Sequence, residues 1–181
     1  MANGKLFIIE AGDGSGKETQ TRLLTERLVR EGHCVVPVTF PDYAADSSML
    51  VRMYLRGDFG ARVDDVNAYA ASIFFAVDRY ASYRTKWGRD YEAGAIILAD
   101  RYTTSNMVHQ AVKLTDAAER DTFLDWLYDL VPQDGAARAR RRVLPRHGAA
   151  CGRAPDCGAC EGKGRYARYP RARCRLSRTR S

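Results

Sequence analysis

The stretch that most constrains this chain is "IIEAGDGSGKETQ", residues 8–20. The apolar run "KLFIIEA" (5–11) leads into it and suits a buried strand that ends at glycines. From Lys17 to Glu31 apolar residues recur at Leu23, Leu24, Leu28 and Val29, the spacing of an amphipathic helix, and Gly32 follows as its stop. A strand delivered through a glycine turn straight into a helix N-terminus is an anion-binding arrangement. Gly12, Gly14 and Gly16 let backbone N–H groups converge on a phosphate around Asp13 and Ser15, and the helix end adds its dipole. Lys17 then reaches the β- and γ-phosphates of a nucleotide. The pattern G-x-x-x-x-G-K-[ST] is met only in part, because its first glycine falls at Ala11 and its hydroxyl at Glu18. Thr19 substitutes as a magnesium-ligand hydroxyl, or the ion is held mainly through water and Asp100. The plainer alternative is a glycine turn in front of a surface helix, which the flanking elements disfavour.

The rest of the first 130 residues alternates in the same manner. "CVVPVTF" (34–40) reads as a second strand in which Pro37 is tolerable at an edge or bulge. Residues 47–56 read as a short helix, and 64–92 as a long aromatic-rich helix entered through "DD". "AIILAD" (95–100) reads as a third buried strand closed by Asp100, an acid placed like a Walker-B magnesium ligand. Helices are predicted over 103–114 and 116–130, the latter after a Thr115 cap with Glu119 near the capping-box position. Continuous apolar strands alternating with helices are the signature of a parallel sheet buried on both faces, a three-layer α/β fold of the P-loop class. No fourth strand is expected after Leu130.

Charge divides the chain at that point. Residues 1–130 hold 15 Lys and Arg against 19 Asp and Glu, whereas 131–181 hold 14 against 3. The last 51 residues contain no Ile, Phe, Met or Trp, and four of the five cysteines, Cys151, Cys157, Cys160 and Cys174, lie there. A segment so poor in large apolar groups does not offset its ordering entropy by burial. The expected organisation is a core over 1–130 and a basic, disordered tail over 131–181. No apolar run reaches the roughly 18 residues that a membrane span needs, and the N-terminal run is too short for a signal peptide, so the expectation is a soluble cytoplasmic protein.

Four stretches carry the reading to a family. "FPDY" (40–43) follows the second strand, "FFAVDRY" (74–80) lies on the long helix, "DRYTTSN" (100–106) follows the third strand, and the glycine loop precedes all three. Their order and spacing resemble thymidylate kinase. The likeness is greatest to a clostridial-type branch with "GDGSGK-TQ", "YAAS-F-AVDRYASY" and "DRYTTSN--HQ" runs, and it covers essentially all of 1–130. The resemblance implies transfer of the γ-phosphoryl group of magnesium-ATP to dTMP, giving dTDP. It implies that Gly12, Asp13, Gly14, Ser15, Gly16, Lys17, Glu18 and Thr19 hold ATP, that Asp13 also positions the acceptor sugar, and that Thr19 and Asp100 serve the magnesium ion. It further implies that Phe75 stacks on thymine and Arg79 hydrogen-bonds it, that Phe40 lines the same pocket, and that Arg101 takes the acceptor phosphate. Ser105, His109 and Gln110 fall near the thymidine. Catalysis is thereby assigned to Lys17, Asp13, Asp100 and Arg101. The implied partners are small nucleotides and a second copy of the chain, with the long helix as the dimer surface. Without the family, Phe74 and Phe75 read equally as plain core, Arg79 beside Asp78 as a surface charge pair, and His109 as structural. Asp42 and Tyr43 depart from members that carry arginine after Phe-Pro.

The tail admits three readings. "CGACEGKG" (157–164) matches C-x-x-C-x-G-x-G, a zinc motif that Cys151 and Cys174 could complete, but the paired spacing is absent. Fourteen basic residues suit nucleic acid, though the arginine bias and scattered cysteines do not. The third reading is a shifted frame. Residues 168–180 can be encoded so that the same bases, read one base later, spell "DIHERDAAYLAR". Residues 139–149 can be encoded to give "PDVVFYLDMA", which resembles the family's next strand, "PDLVFFLDMP". The shift reading is preferred, because both segments emerge in one frame and in family order. On it, the chain lacks two of five strands, the lid arginines and the closing helix, a loss well beyond the roughly 5–15 kcal/mol a domain has to spare. The chain as it stands is then expected to be insoluble or inactive. The remaining functional alternatives are a different P-loop nucleoside or nucleotide kinase, and a non-catalytic tail module.

Overall fold

The computed structural model describes residues 4–12, 14–133 and 141–143. Within them a four-stranded, wholly parallel sheet forms in the order β2-β3-β1-β4. β1 is Lys5–Ile9, β2 Val35–Thr39, β3 Ile96–Asp100 and β4 Arg141–Val143. β1 pairs with β3 from Lys5 opposite Ile96 to Ile9 opposite Asp100, and β2 pairs with β3 from Val35 opposite Ile96 to Thr39 opposite Asp100. Leu6, Ile8, Ile97 and Ala99 are wholly buried, as continuous apolar strands under two helical layers require.

The connections fix where a ligand can sit. α1 (Lys17–Arg30) leaves β1 towards β2, while α5 (Thr103–Ala111) and α6 (Ala117–Gln133) leave β3 towards β4. The two paths diverge from adjacent strands, so a crevice opens beyond the carboxyl ends of β1 and β3. α2 (Met49–Arg56) and α3 (Ala68–Ser82) wall its far side. One core cluster packs Trp87 and Tyr91 beneath Leu6, Ile8 and Ile97, and a second gathers Phe123, Leu127 and Ala111 around Ala68 at the α3–α5–α6 junction.

β2 is the outer strand of the described sheet. The Cys34 carbonyl accepts from Ile96 N–H at 2.8 Å and Phe40 N–H donates to Asp100 at 3.0 Å, so alternate residues face β3 and Pro37 faces outward. That is where a residue without an N–H costs no ladder bond.

Four expectations are corrected. The long helix does not begin at "DD": Val63–Asp65 forms a 3-10 turn, and Asn67 caps α3 by accepting the Ala70 N–H at 2.8 Å. It is also interrupted, because Tyr83–Trp87 winds as a π-turn before α4 (Gly88–Glu92). α6 is capped by Asp116 rather than Thr115, since the Asp116 carboxylate accepts the Glu119 N–H at 2.8 Å, the N3 contact of a capping residue. Finally, a strand does follow Leu130. α6 runs on to Gln133, and Arg141–Val143 joins β1 in parallel with Phe7 opposite Arg141. Strand pairing is made by backbone groups, and the second edge of β1 has unpaired donors and acceptors to satisfy. Two arginines and a valine carry no apolar signal from which such a strand can be read. The zinc, basic-tail and shifted-frame readings rest largely on 134–140 and 144–181, outside the described residues.

Candidate functional site

The crevice is a cavity of about 920 Å³ that runs from the glycine loop to a pocket between β2, α2, α3 and α5. At its first end the loop turns from β1 into α1. Gly14 and Gly16 take φ of 71° and 78°, left-handed values that strain any side chain, and no side chain among the described residues caps the helix. The uncapped N-terminus therefore presents its N–H groups to the cavity. Lys17 is buried and its ammonium donates to the Gly12 carbonyl at 2.9 Å, folded back over the loop it belongs to. Gly14, Ser15, Gly16, Lys17, Glu18 and Thr19 all line this end, while Asp13 lies outside the described residues. Asp100 faces them from β3. Burial pushes its carboxyl above the usual range, with Lys17 and Arg101 opposing the shift and Glu10 and Glu18 adding to it. Its Oδ1 is buried and has no hydrogen-bond partner among the described residues.

The second end is built from side chains. Phe40, at the end of β2, lies edge-on to Tyr102 with ring centroids 5.4 Å apart. The Arg79 guanidinium sits over the same Tyr102 ring at 5.7 Å. The Phe74 and Phe75 rings both lie 6.3 Å from Tyr54, but Phe75 lines the cavity whereas Phe74 does not and packs against Phe59 at 5.5 Å. That separates two neighbours that the sequence leaves equivalent. Arg79 and Asp78 are 2% and 1% exposed, so they are not a surface pair. Asp78 instead accepts the Asp42 N–H at 2.9 Å and the Ser47 hydroxyl at 2.8 Å. Asp42 turns its carboxylate to Lys86. Arg101, Ser105, His109 and Gln110 all line the cavity, with Gln110 buried and His109 exposed at the mouth.

Several site residues carry no assigned role in the sequence reading. Asn106 is 5% exposed, and neither its amide nitrogen nor its amide oxygen has a partner among the described residues. Gln110 Oε1 and Ser15 Oγ are likewise buried and without partners there. Buried polar atoms left unpaired are costly, so the Asn106 and Gln110 amides on α5 mark the place of a polar ligand at the second end, and Ser15 Oγ one at the first. Asn106 was within reach of sequence reading because it closes "DRYTTSN"; Tyr54 and Lys113, which also line the cavity, lie outside every motif. Lys113 donates to the Tyr54 hydroxyl at 2.8 Å and to the Val66 carbonyl at 2.9 Å, tying α5 to α2.

Comparison with known proteins agrees with this geometry. The thymidylate kinase family profile matches residues 9–142. A thymidylate kinase of Clavibacter sepedonicus is 36% identical over 134 residues, covering 71% of this chain and 60% of that protein. A thymidylate kinase of a Synechococcus strain is 30% identical over 149 residues, covering 75% and 70% respectively. A probable thymidylate kinase of Thermococcus onnurineus is 31% identical over 126 residues, and the chain spans 58% of its length. The solved structure of thymidylate kinase from Candida albicans superposes with a TM-score of 0.55 at 24% identity, covering 71% of this chain and 57% of that one, a likeness of fold. With the profile match running from the end of β1 into β4 and the glycine loop, Arg79 and Arg101 all on one cavity, the chain belongs to the thymidylate kinase family.

Proposed function

We propose that this fold binds ATP at the glycine loop and dTMP in the aromatic pocket, and catalyses phosphoryl transfer between them. The observation that carries the reading is the single cavity with two chemically distinct ends, one made of helix N-terminus and Lys17, the other of Phe75, Arg79 and the unpaired Asn106 and Gln110 amides. A flat base with donor and acceptor edges suits the second end. Arg101 stands between the two ends and addresses the acceptor phosphate. An oxygen of that phosphate attacks the γ-phosphorus in line, the bond to the β-bridging oxygen breaks, and ADP leaves. Positioning and charge neutralisation supply the catalysis, with no nucleophile on the protein.

The residues present fit a magnesium ion. Asp100 Oδ1 is a buried, unpartnered acceptor, and Thr19 and Glu18 add oxygens on the same cavity, the hard donors that magnesium takes. When bound, the ion neutralises charge on the β- and γ-phosphate oxygens. Asp100 and Thr19 would hold it, and Lys17 would supply the complementary positive charge.

Two further parts of the reading concern the whole chain. The homodimer is supported by Ile73, Val77 and Tyr80, exposed apolar side chains spaced along one stripe of α3. The shifted frame over 131–181 is supported by the two segments, "PDVVFYLDMA" and "DIHERDAAYLAR", that it spells in one frame and in family order. On this reading the chain as it stands holds dTMP, while turnover needs the restored frame with its lid arginines. Sequencing the underlying DNA tests the shift: a frame that does not spell "DIHERDAAYLAR" and "PDVVFYLDMA" sinks it. A coupled ADP-release assay with ATP and dTMP tests the activity. The restored chain is expected to turn over at about 1–100 s⁻¹, an ordinary kinase rate. A folded, restored chain that fails to turn over dTMP excludes the assignment.

A further inference from the structure

The glycine-loop stretch contains one charged residue that neither the phosphate site nor the base pocket uses. Glu10 follows β1 directly and is 8% exposed. Its carboxylate points across to the turn that follows β3. Oε1 accepts the Tyr102 N–H at 3.2 Å, and Oε2 accepts the Ser105 hydroxyl at 2.6 Å. Ser105 Oγ in turn accepts from Arg101 Nη1 at 3.2 Å. The backbone of the same turn is pinned as well, because Arg101 N–H donates to the Ile9 carbonyl at 3.1 Å.

Arg101 is also the one non-glycine residue among those described with a left-handed backbone, at φ 65°. An arginine there is strained, and such strain persists only where surrounding contacts over-determine it. The contacts that do so come from the end of β1: Ile9 on the Arg101 amide, and Glu10 on the amide and the hydroxyl that follow. Glu10 and Asp100 stand at the carboxyl ends of adjacent strands and repel, which adds to the upward shift at Asp100. A carboxylate kept there against that repulsion accepts two donors at once, which a neutral amide with a single acceptor oxygen does less well.

We propose that Glu10 is a positioning residue which, through Ser105 and the left-handed turn, aims the Arg101 guanidinium at the phosphate of the acceptor nucleotide. The proposal rests on the functional reading above. It predicts a split between two ligands that differ only in that phosphate. Titration calorimetry of the full chain with dTMP and with thymidine is the test. Glu10→Gln is expected to weaken dTMP on the order of tenfold, the loss of one well-placed charged contact, and to change thymidine by less than about twofold. Adding Glu10→Gln to Arg101→Ala should bring no further loss of dTMP affinity, because the two act as one unit. Equal losses for both ligands, or none for either, overturn the proposal. If Glu10→Gln does not melt cooperatively, Ser105→Ala replaces it. That variant removes the bridge, leaves the Glu10 bond to Tyr102, and must show the same split. A wild-type chain that takes up neither ligand overturns the functional reading first, and the proposal with it.

Discussion

The two ends of the cavity are built on opposite principles. The phosphate end is backbone: glycines at left-handed φ, an uncapped helix N-terminus, and a lysine folded over its own loop. The base end is side chain: Phe40 from β2, Phe75 and Arg79 from α3, Asn106 and Gln110 from α5, all buried or half-buried. Backbone recognition is indifferent to what the phosphate is attached to, whereas stacked rings and amides select a shape and an edge. On the proposed function, one end carries the chemistry common to P-loop enzymes and the other the choice of substrate.

That division can be broken most sharply at Lys17. In the frame-restored chain Lys17→Ala should lower kcat by about 10²–10³-fold, the usual cost of removing one preorganised group from developing charge. Its dTMP affinity should stay within about twofold; a parallel collapse of dTMP binding would mean that the two ends are not separable. Asp78→Ala attacks the other end through its scaffold. It strands the Asp42 N–H and the Ser47 hydroxyl and loosens the loop after Phe40. Thermal melting should fall by about 5–10 °C, with dTMP weakened and ATP little changed. Asn106→Ala removes an unpaired amide without removing scaffold, so calorimetry should show dTMP weakened by about tenfold at nearly constant Tm. Only a small change in stability is expected at Asp100→Asn. Burial disfavours the Asp100 charge, so the neutral isostere should raise the ligand-free Tm by on the order of 2 °C while lowering magnesium-dependent turnover.

The same division explains what was legible in the sequence. The glycine loop and the apolar strands are local patterns, and they predict β1, α1, β2 and β3 to within a few residues. Phe75, Arg79 and Arg101 were reached only through a family resemblance, because nothing in "FFAVDRY" tells a core phenylalanine from a pocket one. Asp78 and Glu10 could not be read at all. Their partners lie 36 and 95 residues away in the chain, and only the tertiary fold brings them together. β4 is illegible for a different reason: its pairing is purely backbone, and its sequence, Arg-Arg-Val, hides it. Asp116 and Thr115 are equally good caps by type, and the choice between them is settled by geometry.

The outward-facing Pro37 bears on how this molecule behaves among its own copies. A bare outer strand offers an incoming chain a row of hydrogen-bond donors on which to build a further strand. Here the middle of that row is a pyrrolidine ring, so β2 makes a poor template for edge-to-edge growth. Growth of the sheet from one copy into the next through the β2 edge is thereby disfavoured, whatever else the copies do.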